Sequence, residues 1–164
     1  FQISRNLHPS GQMDEQTWRQ LLDDTRDSAN APPYHADMLL SGLFMLLSID
    51  KASYQPEEKV TLNLMKINLS NETITLNHNT SQRYDFKLSH PSGSTLWRWS
   101  DDKSFTQVMG SVSFPPGRVI RYTDQFTLPA SCQDGVYHAF GWNTAKQISH
   151  IKLHLMVKVR QETD

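Results

Sequence analysis

Ile151-Lys152-Leu153-His154-Leu155-Met156-Val157-Lys158-Val159 places an aliphatic side chain at every second position, with Lys, His or Met between. Successive side chains on an extended chain point to opposite faces, so this pattern buries one face and leaves the other to solvent. It reads as a half-buried β-strand. The same period appears earlier, in Val60, Leu62 and Leu64 against Thr61 and Asn63, and in Ile74 and Leu76 against Thr73 and Thr75. Tyr84, Phe86 and Leu88 alternate likewise with Arg83, Asp85 and Lys87. Turn formers punctuate the chain at Asn71-Glu72, Pro91-Ser92-Gly93, Pro115-Pro116-Gly117 and Asp134-Gly135. No helix-length segment separates these strands. The expected fold is therefore all-β, an antiparallel sandwich or barrel and not a parallel α/β sheet.

The run Leu39-Leu40-Ser41-Gly42-Leu43-Phe44-Met45-Leu46-Leu47-Ser48-Ile49 is apolar on both faces of a strand. Its 11 residues fall short of the roughly 20 that a bilayer-spanning helix needs. Two explanations fit: a central strand covered on both sides, or an apolar edge that pairs with a neighbouring molecule. On the second, Leu39, Leu40, Leu43 and Phe44 are the candidate self-association residues. Gly42 is a natural bend.

A formal charge of -1 over 164 residues argues against a nucleic-acid binder or a polybasic membrane module, both of which carry a basic excess. Ser, Thr, Asn and Gln supply 48 residues against 20% charged, so the surface is built from neutral polar groups. Cys132 is the single cysteine and cannot form an intramolecular disulfide. Stability must come from the 37% hydrophobic residues and from backbone hydrogen bonds.

Enzyme signatures are missing: there is no G-x-S-x-G, G-x-x-x-x-G-K-[ST], H-E-x-x-H or C-x-x-C. His150 and His154 share a strand face but lie roughly 13 Å apart along it, too far to ligate one ion. Cys132 with His138 downstream is a thiol without a base placed by any motif. Adjacent Asp101 and Asp102 lack the further acidic spacing of a calcium loop and read as a solvated turn. No catalytic residue, metal or cofactor is expected.

Residues 1–37 carry 3 basic and 6 acidic groups, whereas residues 38–164 carry 13 and 11. Between Asp23 and Asp37 the chain is poor in apolar residues and contains Pro32-Pro33, which marks an extended linker. Before it, Asp14 is a good N-cap, Glu15 suits the positive end of a helix, and Trp18, Leu21 and Leu22 make one apolar stripe. A helix this short needs something to pack on. The expected division is residues 1–24 as a helical segment, 25–37 as linker and 38–164 as the β domain.

Thr80-Ser81-Gln82-Arg83-Tyr84-Asp85-Phe86, then Leu96-Trp97-Arg98-Trp99-Ser100-Asp101-Asp102-Lys103-Ser104-Phe105-Thr106-Gln107, then Pro116-Gly117 and Asp134-Gly135-Val136-Tyr137 resemble the intracellular proteinase inhibitor (BsuPI) family. The resemblance covers about residues 40–145 and departs at Ser104, where the family often has Met. It implies an immunoglobulin-like sandwich without catalytic groups, in a family named after an inhibitor of a cytoplasmic serine protease. Asp134 to Tyr137 also resembles a tyrosine corner, with Ala139 where antibody domains carry a cysteine.

Phe1-Gln2, Leu7, Ser10-Gly11, Asp14, Thr17-Trp18 and Leu21 look like the last third of a peptidoglycan-binding module. That likeness implies an envelope or secreted parent, against the cytoplasmic setting that the inhibitor resemblance implies.

Physically, Trp97 and Trp99 point to one strand face and Arg98 to the other. The indoles fill the core, which is the common use of such a pair, or floor a binding platform. Asp85 is expected on the solvent side, paired with Arg98. The candidate partner-binding residues are Trp97, Trp99, Ser100, Asp101, Asp102, Lys103 and Phe105, and Trp18, Leu21 and Leu22 are the candidate contacts of the N-terminal helix. Loops Ser100–Ser104, with Lys103 exposed, and Pro129–Asp134 are the candidate docking loops. The reading is a non-enzymatic interaction module whose partner is a protease, or a structural surface subunit that binds copies of itself; peptidoglycan is a further candidate, nucleic acid and a membrane span are not.

Overall fold

The computed structural model describes residues 35–161. Its strands are β1 (His35–Leu40), β2 (Leu43–Ile49), β3 (Ser53–Tyr54), β4 (Lys59–Asn68), β5 (Ile74–His78), β6 (Tyr84–Ser89), β7 (Thr95–Arg98), β8 (Gly110–Phe114), β9 (Val119–Thr127), β10 (Gly135–Asn143) and β11 (Leu153–Val159). The helix read around Trp18 lies outside the described residues. β1 starts at His35, inside the end of the stretch read as linker.

One sheet orders its strands β1-β2-β4-β9, a second β3-β11-β10-β6-β7, and β5 with β8 forms a small third. Pairing is antiparallel throughout except between β11 and β3. The two larger sheets face each other across one core drawn from Leu43, Leu47, Val60, Leu62, Leu64, Phe86, Leu88, Tyr137, Leu155 and Val157 among others. Aromatic rings lock the sheets together: Tyr84 of β6 stacks on Tyr122 of β9 at 4.3 Å, and Trp97 of β7 on Phe126 of β9 at 4.9 Å. Gly141 lets the sheets approach closely, since a Cβ there would stand 2.7 Å from Leu47 Cδ1. The fold is thus the expected all-β sandwich. At Tyr137 the hydroxyl donates to the carbonyl of Gln133 at 3.2 Å, the bond a tyrosine corner requires.

The apolar run 39–49 is two strands and not one. Ser41 (φ 46°) and Gly42 (φ 79°) turn it into a hairpin, with Leu40 opposite Leu43. Two successive positive φ values are what a tight hairpin turn demands. Gly42 is required twice over, because a Cβ would also lie 2.5 Å from Ser70 Cβ. The second arm, β2, is buried between β1 and β4. Its outward residue Phe44 joins Met65 and Ile67 in a small separate cluster, which is why the run is apolar on both faces.

Lys66 interrupts the inward row Val60, Leu62, Leu64 of β4 and is buried at 2% exposure. Its ammonium lies 5.5 Å from the ring centres of both Phe114 and Tyr122. Among the described residues no carboxylate pairs with it. Burial first, then repulsion from Arg83 and Arg118, lowers its pKa to about 8 from 10.5. Because the folded pKa lies below the unfolded one, the unfolded chain holds more protons between about 8 and 10.5, so stability rises with pH across that window. A shift of this size corresponds to about 3 kcal/mol. Urea unfolding at pH 7 and pH 10.5 should show the wild type gaining about 3 kcal/mol relative to Lys66→Met. Parallel pH profiles for the two proteins would show that the buried ammonium carries no such cost.

Candidate functional site

The two sequence blocks that carry the inhibitor resemblance fold onto each other at one end of the five-stranded sheet. β6 contributes Tyr84, Asp85 and Phe86; the end of β7 and the turn after it contribute Trp97, Arg98, Trp99 and Ser100. Asp85 joins them. Its Oδ2 accepts from Arg98 Nε and Nη2 and from Ser100 Oγ, each at 2.8 Å, and its Oδ1 accepts from the Phe86 amide at 3.0 Å.

Arg98 is the expected partner of Asp85, but the expected exposure is corrected. The carboxylate side chain is 0% exposed while that of Arg98 is 44% exposed. Asp85 does sit on the sheet face away from Tyr84 and Phe86. Arg98 lies over it on that face, and Trp142, its neighbour in register, is buried there with the guanidinium 5.5 Å from its ring. The outer face is therefore covered where alternation alone predicts solvent.

From this root the chain continues without regular structure to β8. Trp99 is buried between Tyr84, 4.2 Å away, and Phe105, 5.8 Å away, while Trp97 is half-buried on Phe126. Both indoles thus belong to the core. Asp101 and Asp102 are exposed in the turn. Lys103 folds back on the indole: its Nζ donates to the Trp99 carbonyl at 2.9 Å, meets Asp102 at 3.0 Å and stands 4.6 Å from the Trp99 ring centre. The neighbouring ammonium lowers the Asp102 pKa. Phe105 is half-buried, and the next residue is held on both sides: the Ser81 amide donates to the Thr106 carbonyl and the Thr106 amide to Ser81 Oγ, each at 2.9 Å.

Beyond Thr106 the side chains turn outward. Val108 and Met109 are 60% and 76% exposed, and β8 then ties the chain down by pairing with β5. Sequence reading passed over these two residues. The signal is present, since Val108-Met109-Gly110 follows the last block residue, Gln107, without alternation, but nothing in it distinguishes projecting apolar residues from core ones.

Of the self-association candidates, Leu43 and Phe44 are buried, Leu39 is half-buried and Leu40 is exposed on β1, an edge strand. Trp18, Leu21 and Leu22 lie outside the described residues. The second candidate loop, Pro129–Asp134, borders a cleft of about 490 Å³ with His90, Pro91 and Tyr137. Cys132 within it is buried. Among the described residues no three His, Cys, Asp or Glu side chains gather in a metal-holding group, and no helix is long and apolar enough to cross a membrane.

The family model described as BsuPI, intracellular proteinase inhibitor, matches residues 47–148. No curated protein matches the chain. Among solved structures, the sporulation control protein Spo0M from Bacillus subtilis is similar at 14% identity and TM-score 0.49, over 75% of this chain and 51% of that one. The chain thus spans about half the length of Spo0M. A β-glucosidase from Listeria innocua in complex with isofagomine is similar at 12% identity and TM-score 0.44, over 71% of this chain and 16% of that one. A Paenibacillus cycloisomaltooligosaccharide glucanotransferase is similar at 15% and 0.42, over 72% and 14%. At such values these likenesses carry nothing about activity.

Removing one partner from a buried ion pair leaves the other uncompensated, at about 3–5 kcal/mol for a fully buried pair; the partial exposure of Arg98 reduces this to roughly 2–4 kcal/mol. Arg98→Ala, which leaves the buried Asp85 carboxylate without its cation, should lower the free energy of unfolding by that amount in urea titration. A loss under about 1 kcal/mol would remove Asp85 as the tie between the blocks.

Proposed function

The chain belongs to the intracellular proteinase inhibitor (BsuPI) family, and on that footing we propose that it binds a protease through the segment Gln107–Met109, without chemistry of its own. The observation that carries this reading is the contrast along one loop. Ser100, Phe105 and Thr106 are anchored on β6, Trp99 and Ser81, whereas Val108 and Met109 stand exposed. An apolar segment held in place before binding loses little conformational entropy on entering a cleft, and a segment tied at both ends resists release after attack. Support for this loop comes also from the family blocks, whose residues build its root.

Lys103, engaged on Trp99, is a supporting residue in this reading, and Val108 and Met109 fill the protease pockets. Interface anchors of this kind cost more than about 1 kcal/mol each when lost, or roughly fivefold in affinity apiece. With an intracellular serine protease as target, the double change Val108→Asp, Met109→Asp should raise the inhibition constant at least about tenfold. Unchanged inhibition would exclude the segment.

A second reading, association of copies along β1, draws on Met38 and Leu40, each 39% exposed on the strand that ends its sheet among the described residues. Light scattering should then find an assembly that Met38→Lys with Leu40→Lys disperses; a monomer at all concentrations would end it. The family description favours a cytoplasmic setting. The likeness of residues 1–24 to a peptidoglycan-binding module favours the cell envelope and rests on sequence alone, as does the division at residues 24 and 37.

A further inference from the structure

β10 and β11 pair so that Phe140 faces His154 and His138 faces Met156. His138 and His154 are therefore diagonal neighbours on the outer face of the five-stranded sheet, a separation that long side chains bridge. They do bridge it: His138 Nδ1 and His154 Nε2 share a hydrogen bond at 2.9 Å, one ring N–H donating to the lone pair of the other ring. The His154 ring is held by stacking on Phe140 at 4.8 Å and 20°. Lys87 places its Nζ 5.6 Å from the centre of that Phe140 ring.

The geometry points to a chelating site for a divalent transition-metal ion of the Ni²⁺ or Cu²⁺ class, held by Nδ1 of His138 and Nε2 of His154. Metal–imidazole bonds run about 2.0–2.1 Å, so two of them at a right angle set their nitrogens about 2.9 Å apart. Right-angled neighbours occur in the square-planar and octahedral arrangements that Cu²⁺ and Ni²⁺ favour, and imidazole suits both ions. Two adjacent strands keep the rings side by side before any ion arrives, which lowers the ordering cost of binding, and an ion would take the place of the ring proton now shared between them. Among the described residues no third His, Cys, Asp or Glu completes a cage. The remaining positions face solvent, open to water or to a side chain from a partner. His150, also on the chain near β11, is not part of the pair. This site does not rest on the protease reading.

Isothermal titration of the full chain with Ni²⁺ alone should give one site per chain, lost in His138→Gln and in His154→Gln and retained in His150→Gln. In the unsubstituted protein, low Ni²⁺ should broaden the amide resonances of residues 136–140 and 152–156 before others. Absence of Ni²⁺ binding by the wild type, binding undiminished in both variants, or broadening that begins elsewhere would overturn the assignment.

Discussion

A carboxylate with no exposed surface is tolerable only when its lone pairs are spoken for, and Asp85 meets that demand with Arg98, Ser100 and the Phe86 amide. The consequence reaches beyond one residue. Arg98 ends β7 and Ser100 starts the turn after it, so satisfying the buried charge also fixes where the loop leaves the sheet. Trp99, between the two, is carried into the core against Tyr84. The family blocks are best understood in this light: Tyr84-Asp85-Phe86 and Trp97-Arg98-Trp99-Ser100 are the two halves of a socket.

Rigidity then decays along the loop in a definite order. Lys103 caps the indole, Phe105 packs beside it and the Ser81–Thr106 bonds close the last fixed point. Past that point the loop offers apolar surface with no packing partner of comparable extent. A scaffold that spends its polar contacts on the root of a loop and leaves its tip apolar suits recognition, where a preformed shape lowers the cost of association.

Lys66 shows the opposite treatment of a buried charge. Among the described residues it meets aromatic faces and no carboxylate, and its lowered pKa records the desolvation. The core therefore holds one charge that organises a loop and one that costs stability.

Period-two alternation was enough to identify β4, β5, β6 and β11 and with them the all-β class, because one-sided burial writes itself into every second residue. β9 escaped it: in Val119–Thr127 the inward side chains Ile120, Tyr122, Asp124 and Phe126 are only half-buried and include a carboxylate, so the contrast between faces is weak. The hairpin of β1 and β2 was read as one strand since both its arms are apolar, and only the positive φ values at Ser41 and Gly42 separate them. The site was legible as motif and not as geometry. Sequence names Asp85 and Arg98 as partners, yet the burial of Asp85 depends also on Trp142, a residue far along the chain that strand pairing alone brings alongside. The meeting of His138 with His154 is likewise a product of register between β10 and β11. Local alternation determines which face a side chain takes, while what lies over that face is set by long-range pairing, which no local pattern encodes.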